Sequence, residues 1–403
     1  MTSRPLLLAV ALLAPATAPA VELTPTGAPL KLDLYGFIVA NTYWSSSGVF
    51  GSDVPLWAVA RTDSRAEDQE FGMTARQSRF GLRLKAPDVG TAKLSGVLEL
   101  DLFGSFPNGG QKASFGQARL RLASMKLEWA NASLTAGQDW IVLAPLNPTT
   151  LSHFAVVGLA TSGNLWLRYP QLRLDMVRKL GEAKLGVTAG LVRPVGGSDP
   201  SEAGSFVDVA GAGERSGIPF LQGRAFYSRP ASGRTLAVGL SAHYGKESYK
   251  FGTTTVSTDE AKTWAVAGDL QLPLGAALSL QGEAYTGTNL DSFQGGVNQG
   301  VVSSEAAATA TPIDTRGGWL QVSVTPPQSK KLAFHLAYGI DDPDDDTLRA
   351  GQRTLNRTLM ASVAHKPTAN FQWALEYSRL ETKYRSGQTN QASVVNLGLA
   401  LSF

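Results

Sequence analysis

The sequence predicts an all-β fold: a transmembrane antiparallel β-barrel of 16 strands, with short periplasmic turns and long extracellular loops. Three observations predict it. Apolar residues recur with a period of two over segments long enough to cross a bilayer as tilted strands, which takes about 9–11 residues. The connections alternate short and long, as a barrel with two unlike rims requires. The chain opens with an export signal.

The signal comes first in the chain. Arg4 precedes an apolar run from Leu6 to Ala14, and Ala18-Pro19-Ala20 is a small-x-small cleavage site. A cut after Ala18 would leave Pro19 at the new terminus, so cleavage after Ala20 is expected, with residues 1–20 as the leader. Residues 21–31 then form a short N-terminal segment, and 32–403 form the barrel. The leader run is too short to span a membrane as a helix, which needs about 20 residues. Later runs, such as that from Phe154 to Ala160, are shorter still, yet 43% of the chain is hydrophobic. The apolar residues are therefore dispersed.

The dispersal is periodic. Val395, Leu397, Leu399, Leu401 and Phe403 share one strand face, while Val394, Asn396, Gly398, Ala400 and Ser402 share the other. Leu94, Leu98, Leu100 and Leu102 oppose Lys93, Ser95, Glu99 and Asp101. Phe80, Leu82 and Leu84 oppose Arg79, Arg83 and Lys85. Leu332, Phe334, Leu336, Tyr338 and Ile340 oppose a face with His335 and Asp341; Phe371, Trp373, Leu375 and Tyr377 oppose Gln372, Glu376 and Ser378. The expected strands are 32–44, 74–85, 91–103, 116–129, 131–140, 164–179, 182–193, 217–229, 234–245, 263–273, 276–287, 315–326, 330–341, 353–365, 369–381 and 391–403. Strand 116–129 changes phase, which a β-bulge near Ala123-Ser124 would reconcile. A soluble sandwich alternates in the same way, but its strands run about 5–6 residues. Strand length, leader and loop pattern together favour the membrane barrel.

The expected long loops are 45–73, 104–115, 141–163, 194–216, 246–262, 288–314, 342–352 and 382–390; the connections between them are Gly- and Pro-containing turns. Tyr43, Trp44, Phe103, Trp129, Trp140, Tyr244, Tyr285, Tyr338, Trp373 and Phe403 lie near strand ends, where aromatic rings favour the membrane–water boundary.

A sixteen-stranded barrel leaves an aqueous channel unless something fills it. Too few residues separate the cleavage site from the first strand for a plug domain, so a loop must narrow the lumen. Segment 141–163, with Pro145, Pro148, Gly158, Gly163 and an apolar middle, is the candidate; its alternative role is contact between copies in a trimer. The inward face of the early strands carries Arg79, Arg83, Lys85, Arg119, Arg121, Arg168 and Arg173, beside Glu99, Asp101, Asp139 and Asp175. Two readings stay open. One is a net-positive, pore-lining constriction that favours small anions such as carboxylates. The other is wall ion pairing that stiffens the barrel.

Other functions find little support. The formal charge is +3, falling to +2 without Arg4, with no basic cluster of the kind a nucleic-acid binder carries. There is no cysteine to mispair in an oxidising compartment. His153, His243, His335 and His365 have no metal-ligand spacing, and no Gly-x-Ser-x-Gly occurs, so no cofactor, metal or catalytic residue is expected. His243 beside Ser241 is the one faint hint of an outer-membrane hydrolase. The acidic run 341–346 reads as a solvated loop tip, with a divalent cation at the lipopolysaccharide layer as the alternative.

The segments Thr74-Ala75-Arg76-Gln77-Ser78-Arg79-Phe80-Gly81-Leu82, Gly96-Val97-Leu98-Glu99-Leu100-Asp101, Gly137-Gln138-Asp139-Trp140 and Arg168-Tyr169-Pro170-Gln171-Leu172-Arg173 resemble the DcaP-like outer-membrane porins, over roughly residues 34–178. The terminal Phe403 resembles the outer-membrane assembly signal. The family resemblance implies a homotrimer of sixteen-stranded barrels in the cell outer membrane, in contact with lipid and lipopolysaccharide and passing small, preferentially anionic solutes. Such relatives often carry an N-terminal helical extension, which is not expected here. The function expected is a passive porin, not an enzyme. The competing reading is a structural or adhesive barrel whose loops bind a partner, and channel conductance separates the two.

Overall fold

The computed structural model of the protein describes residues 21–22, 29–104, 116–196, 210–252 and 256–403; the expected leader lies outside them. Sixteen strands close on themselves. They are β1 (Lys31–Ser45), β2 (Glu70–Thr74 and Arg79–Lys85), β3 (Lys93–Asp101), β4 (Arg119–Glu128), β5 (Ala132–Trp140), β6 (Arg168–Leu180), β7 (Ala183–Val192) and β8 (Phe220–Ala231). They continue as β9 (Arg234–Phe251), β10 (Ser257–Leu274), β11 (Leu278–Thr288), β12 (Asp314–Val324), β13 (Leu332–Pro343), β14 (Arg353–His365), β15 (Phe371–Tyr384) and β16 (Thr389–Ser402). Each pairs antiparallel with its sequence neighbours, and β1 pairs with β16 from Phe37↔Ser402 to Ser45↔Val394. Closure leaves no exposed sheet edge, the condition for strands to exist in lipid. At the seam, Gly36 N donates to Phe403 O at 3.0 Å and Phe403 N to Gly36 O at 3.1 Å. Below it, Val21–Glu22 pairs with β1 at Leu34 and Asp33.

The distribution of polarity is inverted relative to a soluble protein. Leu240, Met73 and Phe71 are 61–71% exposed, while Glu99, Arg121, Asp341 and Glu376 are buried. Along β16, Leu397, Leu399 and Leu401 point outward and Asn396 and Ser402 inward. Apolar faces outside and charged faces inside suit lipid around a polar lumen. No helix among the described residues is long and apolar enough to cross a membrane. Leu240 projects from the middle of β9. Leu240→Arg should therefore lower folding stability by about 2–4 kcal/mol, the cost of arginine at the bilayer midplane. The urea midpoint for refolding into vesicles reads this, and an unchanged midpoint would place that face in water.

Several boundaries depart from expectation. The loop expected at 246–262 is mostly strand: β9 and β10 pair up to Phe251↔Ser257, leaving 252–256 as the connection. This hairpin climbs above the aromatic pair Tyr244 and Trp264, so its outward face carries Lys246, which meets Glu260 at 3.1 Å. Charges on that face hid the alternation. The eighth loop likewise shrinks to 385–388. Strand 74–85 is interrupted at 75–78, where Ser78 Oγ accepts from Val39 N and donates to Ala75 O in place of ladder bonds. The bulge in β4 falls at Arg121, between Leu120↔Leu100 and Leu122↔Glu99, not at Ala123-Ser124. Trp44, Trp129, Tyr244 and Tyr338 do face outward, but Tyr43 and Tyr285 are buried inside, and Phe103 and Trp140 pack within the lumen.

Candidate functional site: a constriction in the lumen

The third loop, which runs from 141 to 167 between β5 and β6, enters the barrel and crosses it. Its 27 residues contain no Asp, Glu, Lys or Arg. An uncharged chain entering a polar lumen must hand its backbone groups to the wall, and polar residues from many strands receive them.

On one side the receiver is Gln77, in the gap of β2. Its Oε1 accepts from Phe154 N (2.8 Å) and Ala155 N (3.0 Å), and its Nε2 donates to Ser152 O (2.8 Å). The strand break thus serves to turn Gln77 toward the loop. Asn41 Nδ2 donates to Leu151 O at 2.9 Å. Across the lumen, Glu283 Oε1 accepts from Leu146 N at 2.6 Å and Gln321 Oε1 from Thr149 N at 2.9 Å. Glu376 accepts from Thr150 Oγ1 at 2.7 Å and from Ser152 Oγ. Asn356 Nδ2 donates to Thr161 O at 3.0 Å. At Gly163 the loop lies directly on the wall: a Cβ there would fall 2.2 Å from Gly318 O and 2.4 Å from Ile340 O, at a φ of +93° that disfavours any side chain.

The arginines stand beside this loop. Arg121 Nε donates to Glu99 Oε1 and its Nη1 to Asp101 Oδ2, both at 2.8 Å. Arg119 forks onto Asp101 at 3.0 and 2.6 Å, and Arg79 Nε lies 3.5 Å from Glu99 Oε1. Tyr35 donates its hydroxyl to Glu99 Oε2 at 2.9 Å. The remaining donors reach the loop: Arg79 Nη2 to Phe154 O at 2.9 Å and Arg119 Nη2 to Ala155 O at 2.7 Å. Arg168 differs from all of these. Its guanidinium carbon lies 4.8 Å from the Trp140 ring and 5.3 Å from Trp166. It has no carboxylate partner among the described residues, and its buried Nη1 has no acceptor. Four guanidiniums thus meet two carboxylates, an excess of two positive charges. A cavity between loop and wall is lined by Phe37, Arg79, Arg121, Trp140, His153 and Phe154.

The structure therefore gathers six of the ten expected residues: Arg79, Glu99, Asp101, Arg119, Arg121 and Arg168. The other four lie apart. Arg173 pairs with Asp139 (3.4 Å) and Asp175 (3.3 Å). Arg83 stacks over Tyr35 at 3.8 Å. Lys85 is exposed at the strand end, 3.6 Å from Asp33, so it sits at a mouth and not at the narrow zone. Arg79, Arg119, Arg121 and Arg173 each lie within ion-pair distance of a carboxylate, and Arg168 has no carboxylate partner among the described residues.

Sequence reasoning missed Gln77, Asn41, Glu283, Gln321, Asn356 and Glu376 as supports of the loop. It also missed that two more loops turn inward. In loop 1 (46–69), Leu56 O accepts from Thr161 Oγ1 and Asn356 Nδ2, and Ala58 is held by Thr382 and Tyr384. In loop 6 (289–313), Phe293 O accepts from Trp166 N at 3.1 Å and Gln294 Oε1 from Trp166 Nε1 at 3.1 Å. Ser241 and His243 face the lumen rather than lipid. The His243 ring is wedged between Phe220 and Phe293, and its Nε2 meets Thr263 Oγ1 at 3.1 Å.

No family model matches the sequence, and no curated protein matches it. Solved structures do. The outer membrane channel DcaP of Acinetobacter baumannii superposes with a TM-score of 0.70 at 17% identity, over 94% of this chain and 99% of that one. The anion-selective porin of Comamonas acidovorans gives 0.56 at 12% identity, over 93% and 100%. OprB of Pseudomonas putida gives 0.57 at 12% identity, over 92% and 94%. At such identities the likeness is one of fold. The chain has the closed sixteen-stranded barrel of the outer-membrane porins.

Proposed function

We propose that the protein is a passive diffusion channel for small hydrophilic solutes, with a preference for anions, and that it has no enzymatic activity. The observation that carries this is the arginine cluster beside an uncharged loop. Two of its charges have no carboxylate to cancel them, and Arg168 lies at the narrow zone with only indole faces for company. Field lines from such a cluster are concentrated by the low-dielectric wall and raise the local concentration of anions. The fold supports a channel, and one solved structure of similar fold is an anion-selective porin. A homotrimer accords with the porins of the same fold.

Two alternatives fare worse. An adhesive barrel needs loops presented outward, whereas loops 1, 3 and 6 turn in. The serine–histidine pair that the sequence hinted at does not form, since His243 engages Thr263 instead of Ser241. The test is a planar bilayer with a salt gradient across it. The reversal potential should fall on the anion side. A cation-side potential would overturn the selectivity, and absence of conductance would overturn the channel.

A further inference from the structure

The outer wall is dented toward the periplasmic end of β5–β9. Strand pairing sets Ala132, Met176, Val187, Ala225 and Leu240 in one row across these five strands, each opposite the next. The row below, nearer the periplasmic turns, runs Arg178, Leu185, Tyr227 and Val238. Both rows point outward by strand alternation. Met176, Leu185, Val187, Val238 and Leu240 are exposed, whereas Thr188, Ser228 and Ser241, next to them along the chain, are buried. Two of the five places in the upper row are alanine set beside large side chains, and the wall there forms a groove of about 1220 Å³. The foot of the groove is basic. Arg178 lines it and is exposed, two residues from Leu180 at the end of β6. Arg229, also exposed, points outward one row further down, on β8 opposite Leu236. β6 and β8 lie two strands apart, about 10 Å at the usual strand spacing, so two arginine side chains can close on one anion. Neither arginine has an acidic partner among the described residues, unlike Lys85 with Asp33 or Lys93 with Asp88 at the same rim. Arginine on a lipid-facing wall is tolerated at the interface and costly at the midplane, so both guanidiniums belong at headgroup depth.

We propose that this groove binds one anionic glycerophospholipid of the periplasmic leaflet. Its acyl chains lie along the two apolar rows, over Ala225, and its phosphate sits between Arg178 and Arg229. The occupant follows from charge complementarity and from continuity: an anion held at headgroup depth directly below an apolar groove is the head of a lipid. The guanidinium fork matches the phosphate oxygens. Two cations without acidic neighbours repel the ammonium of a zwitterionic headgroup, which selects a lipid of net negative charge. This goes beyond the channel reading and requires only that the barrel stand in a membrane.

The test is native mass spectrometry of the full chain, refolded into lipid-free detergent and supplied with phosphatidylglycerol and phosphatidylethanolamine of the same acyl chains in equal amounts. One phosphatidylglycerol should be retained per chain, in preference to phosphatidylethanolamine. Arg178→Gln and Arg229→Gln should each weaken its retention roughly fivefold, the effect of one basic side chain near an anionic lipid surface. Ala225→Trp fills the groove and should remove the retained lipid. Lys93→Gln, at the same rim but outside the groove, should change nothing. The arginines are exposed and unpaired, so their variants keep the barrel and decide the matter if Ala225→Trp does not fold. Equal retention of the two lipids, retention undiminished when both arginines are replaced, or loss in Lys93→Gln would each overturn the site. An oligomer mass that falls to the single chain in Ala225→Trp would overturn it too, by placing a second copy of the chain in the groove.

Discussion

Replacing residues 146–162 by a short Gly-Ser linker should raise single-channel conductance several-fold while the barrel still folds. The ladder does not depend on the loop, because every strand pairs with its neighbours from β1 round to β16. What the loop occupies is the lumen. It reaches Gln77 on one wall and Glu283, Gln321 and Glu376 on the opposite one, so it bridges the diameter. Once it is gone, those side chains face water, which satisfies them at little cost because they are polar and hydrated in an open channel. The arginines remain, so anion preference should persist in weaker form through a wider and better-screened pore. Gly163→Val gives a gentler version of the same perturbation. It forces a β-branched residue into a left-handed backbone and against Gly318 O, so the loop must lift from β12 and β13. Unchanged conductance in the linker variant would mean that loops 1 and 6, and not loop 3, set the narrow zone.

The division between what the sequence carried and what it did not follows from the range of the forces. Strand periodicity is local: Val395, Leu397 and Leu399 announce their face without any neighbour. Short turns such as Leu180-Gly181 announce themselves through Gly, and Gly181 indeed takes φ +61°. Arg79, Arg119 and Arg121 could be placed on the inner face for the same reason. Their partners could not be placed, because Glu99 meets Arg121 only through a bulge that shifts β4 against β3 by one residue. The role of Gln77 was hidden for a different reason. Its signature is a missing strand segment at 75–78, while the sequence there still alternates well enough to read as continuous. Loops 1 and 6 left no periodic signal at all, and their inward path rests on side chains distant in sequence, such as Asn356 with Leu56 and Arg353 with Gln299. The charged top of the β9–β10 hairpin looked like loop because a strand that leaves the membrane loses its apolar face.

Arg168→Gln should cut the anion preference at no cost in stability, and Arg168→Glu should abolish it. The reasoning turns on pairing. Arg121 is 1% exposed and holds both Glu99 and Asp101. Its removal would take a 2.8 Å hydrogen-bonded partner from each of two buried carboxylates, a loss of about 3–5 kcal/mol typical of a broken buried pair. Any change in selectivity in Arg121→Gln is thus confounded by damage to the wall. Arg168 is held instead by Trp140 and Trp166, whose ring faces stabilise a desolvated cation by about 2 kcal/mol. No carboxylate depends on it, and its buried Nη1 already lacks an acceptor, so a neutral glutamine relieves a desolvation penalty as it forfeits those ring contacts. In charge terms, glutamine halves the excess of two and glutamate cancels it. Reversal potentials in a fixed salt gradient should therefore step from the unmodified channel through Arg168→Gln to near zero in Arg168→Glu, with urea midpoints close to unmodified for the glutamine variant and lowered for Arg121→Gln. A reversal potential that stays put in Arg168→Glu would mean that the arginines are wall struts, and that whatever preference the channel has arises at its mouths.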